Sequence, residues 1–85
     1  MRIDGAVVKE QGVTFAIIVV KSYVLRNKTK RDNIRKQSRS VFPGMPIILM
    51  AQNSKGVPTY QGRKDIVRFL SNINPARIPW KRYTI

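Results

Sequence analysis

Between residues 26 and 39 the chain carries Arg26, Lys28, Lys30, Arg31, Arg35, Lys36 and Arg39 against a single acid, Asp32. Cations at this density suit phosphates, because each phosphate they neutralise releases counterions. On a helix, Arg31 and Arg35 would sit one turn apart, and so would Arg35 and Arg39. Like charges stacked this way cost some helix stability, and a polyanion would reverse that cost. The unpaired NH groups of the helix N-terminus would add an anion site. The plainer reading is a solvated charged face. A second cluster is Trp80-Lys81-Arg82-Tyr83. Its rings would stack on exposed bases while its cations hold the backbone. Alternatively, Trp80 anchors the chain on a sheet. Tyr60, Arg63 and Lys64 offer a further ring with two cations, or else a tyrosine packed on a sheet rim. Ser54-Lys55-Gly56 lacks the spacing of a phosphate-binding loop. The candidate nucleic-acid-binding residues are therefore Arg26, Lys28, Arg31, Arg35, Lys36, Arg39, Lys81 and Arg82.

Composition narrows the chemistry further. In 85 residues there are 17 Lys or Arg and 4 Asp or Glu, a formal net charge of +13, with no His and no Cys. Disulfides, Cys/His zinc sites, thiol nucleophiles and Ser-His-Asp triads are all excluded. The acids Asp4, Glu10, Asp32 and Asp65 are spread too thinly for a carboxylate metal cage. We therefore expect a binding protein, not an enzyme, with no cofactor and no metal. A hydrophobic content of 42% argues against wholesale disorder. The longest apolar run, Phe15 to Val20, is far short of the ~20 residues that span a bilayer. No signal peptide is read, and cytoplasm is the default.

These side chains need elements to position them. Ala6-Val7-Val8-Lys9 and Val13 to Val20 read as strands joined by a turn at Gly12. The second run is β-branched and apolar on both faces, the mark of a central strand. Thr29-Lys-Arg-Asp32 reads as a capping box opening a helix to about Val41, which Pro43-Gly44 stops. That helix has a thin apolar stripe, Ile34 and Val41 with Ser38 between them. Pro46 to Ala51 is another strand apolar on both faces. Asn53-Ser-Lys-Gly56 turns it into a return strand, Val57 to Gln61, which Pro58 marks as an edge. Beyond Gly62, residues Ile66, Val67, Phe69, Leu70 and Ile73 fall at helical spacing, and Asn74-Pro75 ends the helix. The expected fold is α+β (or α/β), a mixed sheet of about four strands in the order β-β-α-β-β-α. Residues 1–75 would form the domain, and residues 76–85 a basic, aromatic C-terminal tail.

Residues 13 to 73 resemble the second half of a thioredoxin-like domain. Met45-Pro46 stands where that family introduces a strand with proline. The hairpin across Asn53 to Gly56 follows, and Gly62 leads into the last helix. The resemblance implies both helices on one face of the sheet and, by analogy, a cis Met45–Pro46 bond. The family's redox cysteine pair is absent, so thiol-disulfide chemistry is excluded. Helices on one face would leave the other face of two doubly apolar strands bare. Ile78, Trp80 and Ile85 of the tail, or a second copy forming a homodimer, would have to cover it, with Trp80 largely buried there.

Two functions follow. The first is nucleic-acid binding through phosphate contacts without strong sequence preference, since no named recognition motif is present. The second is a structural or interaction protein that docks an acidic protein or an anionic membrane surface, or pairs with itself.

Overall fold

The computed structural model describes residues 2–10 and 12–85. Nine elements follow in chain order: β1 (Arg2–Glu10), β2 (Val13–Val19), α1 (Ser22–Leu25), α2 (Lys28–Ser38), β3 (Ile47–Gln52), β4 (Pro58–Gln61), α3 (Lys64–Leu70), a single 3-10 turn (Pro75–Arg77) and β5 (Lys81–Thr84). The strands form one sheet in the order β4-β3-β2-β1-β5. Among the described residues only β2 and β3 pair in parallel, with Ala16 opposite Ile47 and Ile18 opposite Leu49. The fold is α+β with a mixed sheet, as the apolar patterning indicates. No helix among the described residues is long and apolar enough to cross a membrane.

The two central strands are buried on both faces, and each face has its own cover. Phe15, Ile17, Ile48 and Met50 point to one side and meet Ile66 and Leu70 of α3, with Ile78 alongside. Ala16, Ile18, Ile47 and Leu49 point to the other, where Leu25, Ile34 and Val41 pack with the fully buried Phe42. The expectation of two helices on one face is thus overturned: α2 and α3 lie on opposite faces. The physical reason is in the strands. Alternate side chains leave a strand on opposite sides, so two doubly apolar strands need two covering layers. A helix on each side supplies most of them, and the expected tail adds Ile78 and Trp80 to one layer and Tyr83 and Ile85 to the other.

The sheet also has five strands instead of about four. The fifth comes from the segment expected as a tail: β5 pairs antiparallel with β1, Ile3 opposite Tyr83 and Gly5 opposite Lys81. Tyr83 meets the ring of Phe42 edge-on at 4.9 Å. Gly5 is required beneath it. A Cβ there would stand 2.8 Å from the Ile17 carbonyl oxygen and 3.4 Å from the Tyr83 ring. Trp80 is only partly buried, and it packs with α3's cluster, not on a helix-free face. Its indole Nε1 donates to the Pro75 carbonyl at 3.0 Å.

Local boundaries shift for local reasons. Asn27, not Thr29, caps α2: its side-chain oxygen accepts from the Lys30 NH at 3.1 Å. Residues 22–25 form the additional short helix α1. The Ser38 side chain within the thin stripe of α2 is fully buried, and its hydroxyl donates to the Ile34 carbonyl at 2.6 Å. Pro58 does lie on an edge strand, β4. No peptide bond among the described residues is cis, so the Met45–Pro46 bond is trans.

Candidate nucleic-acid interface

An α-helix turns 100° per residue, which divides the cations of α2 among three directions. Ile34 and the fully buried Ser38 mark the inward side. Arg31 and Arg35 project from the flank next to it, toward β4, and both are half-buried. Lys28, Lys36 and Arg39 project further round and are exposed, with Asp32 among them. Lys30 falls on the opposite flank.

Arg31 and Arg35 are turned inward to the chain itself. Arg31 Nη1 donates to the Leu25 carbonyl at 2.5 Å, bracing the joint between α1 and α2. Arg35 Nε donates to the Ile47 carbonyl at 3.1 Å, and its Nη2 donates to the Gln61 carbonyl at 2.9 Å and to Gln61 Oε1. One guanidinium thus ties α2 to the start of β3 and the end of β4. Burial, then repulsion from Arg31, hold its pKa below the ordinary arginine value, while Asp32 pushes the other way. The expectation that Arg35 lies on the solvent face is overturned. A long side chain beside an apolar stripe can reach carbonyls at strand ends, and Arg35 does so.

Gly62 is part of the same clamp. Its φ is +154°, and a Cβ there would lie 2.6 Å from Ile48 Cδ1 and 3.4 Å from Arg35 Nη2. Beyond it, Arg63 forms a bidentate pair with Asp65 at 2.8 Å on both oxygens. That exposed pair draws the Asp65 carboxyl below its ordinary pKa, chiefly through the hydrogen bond from Arg63. Tyr60 packs against α3's cluster as a rim residue, and its buried hydroxyl has no hydrogen-bond partner among the described residues. Burial raises its pKa.

Lys81 and Arg82 are not brought together with the α2 cations at β4. They lie on β5, at the other edge of the sheet from β4, and the two edge strands are about 19 Å apart at the usual strand spacing. By strand alternation Lys81 shares the face of Tyr83 and Arg82 the opposite face. Arg82 Nε donates to Asp4 Oδ1 at 3.0 Å, an exposed pair.

The sequence reading missed one further feature. A groove of about 490 Å³ opens between α1, α2 and the strand ends, lined among others by Tyr23, Lys30, Asn33 and Gln37. Tyr23 is 53% exposed, which is high for so large a ring. The only sequence signal was its place beside Lys21 and near Lys28 and Lys30. Comparison with protein-family models, curated proteins and solved structures returned no match.

Proposed function

We infer that the protein is a binding module for nucleic acid, engaging phosphates through Arg26, Lys28, Lys36 and Arg39 without strong sequence preference. The observation that carries this reading is the exposed side of α2, which presents Lys28, Lys36 and Arg39 with one acid, Asp32, among them, and the exposed Arg26 just before the helix. The whole chain supports it, since 4 acidic side chains can neutralise few of 17 cations. A field of one sign draws a polyanion and gives little reason to distinguish its bases. Arg31 and Arg35 serve this surface indirectly, by holding the helix that carries it. Lys81 and Arg82 are a separate basic edge and are not needed for it.

The test is the double reversal Lys36→Glu with Arg39→Glu, titrated against two oligonucleotides of unrelated sequence at ~50 mM salt. Binding should weaken alike on both, with the circular dichroism spectrum unchanged. No binding by the wild-type chain to single- or double-stranded DNA or RNA would refute the reading. Docking to an acidic protein would then lead.

A further inference from the structure

The groove on the other flank of α2 differs in chemistry from the phosphate-binding side. Its floor is aliphatic, formed in part by Ile3, Val20, Val24 and Ile34. Its rim holds three exposed cations, Arg2, Lys21 and Lys30. None of the described residues lining it is acidic. An anion with a flat or apolar body fits such a site better than a bare phosphate does.

Two details select among such ligands. Lys30 Nζ stands 5.5 Å over the centroid of the Tyr23 ring, which puts a phosphate contact on one face, and the ring is exposed enough to offer its other face to a base. Asn33 and Gln37 are one helical turn apart and both line the groove. A carboxamide offers a donor and an acceptor side by side, the pattern on base edges. A fatty-acid chain would use neither amide. A duplex offers base edges to such amides in its major groove, but its bases are stacked on one another and not free to lie on Tyr23.

We propose that this groove seats one unpaired nucleobase of a single strand, stacked on Tyr23, with its edge toward Asn33 and Gln37 and its flanking phosphates on Lys21, Lys30 and Arg2. The proposal rests on the nucleic-acid reading above and adds to it a preference for single strands. The α2 cations supply affinity for either form, whereas the groove rewards only the unpaired one.

The experiment compares a fluorescent single-stranded oligonucleotide with a hairpin duplex of the same length. Wild type, Tyr23→Ala, Tyr23→Phe and the pair Asn33→Ala with Gln37→Ala are titrated by anisotropy. Stacking on one aromatic side chain, at about 1–3 kcal/mol, corresponds to about 5- to 140-fold in affinity. Tyr23→Ala should lose a factor in that range on the single strand and change duplex binding by less than about twofold. Tyr23→Phe should retain single-strand binding, and the amide pair should weaken it. Equal affinity for both forms in wild type, or an equal loss on both in Tyr23→Ala, overturns the groove proposal and leaves phosphate binding standing. No binding of either form by wild type removes both.

Discussion

On the flank of α2 that faces β4, Arg35 is half-buried and donates to two backbone carbonyls and a side-chain amide. On the flank that faces β1, Lys30, Asn33 and Gln37 stand exposed above a groove. The sequence between residues 28 and 39 shows no such division: it reads as one charged run. The division arises from what each flank meets. Toward β4, strand ends present carbonyls that a guanidinium can satisfy, with five donors in a fixed fork. Toward β1 the short helix α1 and the strand ends stand apart, leaving a groove among the described residues. A charge run is therefore not one surface, and its most basic-looking member can be the one least available to a ligand.

The largest expected effect tests the structural flank. Arg35→Ala removes a charged donor from the carbonyls of Ile47 and Gln61, and a hydrogen bond to a charged group contributes about 1.5–3 kcal/mol. Urea denaturation should show a loss of about 3 kcal/mol, against less than ~0.5 for the exposed Arg39→Ala. Equal small losses at both positions would erase the contrast between them. Gly62→Ala comes next. Its φ of +154° and the nearby Ile48 and Arg35 atoms oppose a Cβ, and the expected cost is about 2 kcal/mol. A denaturation midpoint unchanged from wild type would show that the clamp at this corner is looser than its geometry.

How far these contrasts were legible beforehand depends on which residues carried them. β2 and β3 could be read because β-branched residues fill both of their faces. The helix α3 could be read from Ile66, Leu70 and the residues between. The assignment of helices to faces could not be read from either helix alone, although the two-sided strands already required two covers. β5 was missed because Lys81-Arg82-Tyr83-Thr84 is a short edge strand that half-buries only Tyr83. Its partner signal, Gly5, becomes meaningful only once Tyr83 lies over it. Among the candidate site residues, Arg26, Lys28, Lys36 and Arg39 are exposed as the charge run suggested. Arg31 and Arg35 are not, because their partners Leu25, Ile47 and Gln61 are set by tertiary contact, up to 26 positions away in the chain. Tyr23 escaped notice since an isolated tyrosine is ordinarily a packing residue.

A smaller effect sharpens the comparison from outside α2. Tyr60→Phe removes a buried hydroxyl that has no partner among the described residues, and should stabilise the fold by about 1 kcal/mol at neutral pH. It should also change the alkaline behaviour. The folded state holds the phenol proton more tightly than the unfolded state, whose value is near 10.0. This contribution to stability is fully present below that value and is lost as pH rises through the higher folded-state value. Stability curves of wild type and Tyr60→Phe should therefore diverge above pH ~10 and run parallel below it. Smallest of all is Tyr23→Ala, which should change stability by less than ~1 kcal/mol because an exposed cation–π contact contributes little. A larger loss would make the groove flank structural too.

The most direct measurement is the salt dependence of nucleic-acid affinity in the wild-type chain, followed by anisotropy on a duplex from about 50 to 200 mM salt. With Arg26, Lys28, Lys36 and Arg39 each neutralising one phosphate, log K should fall against log salt with a slope of about −3.6. A slope near −5.4, as though Arg31 and Arg35 were engaged as well, would contradict the division between clamp and binding surface, and a flat line would contradict phosphate recognition itself.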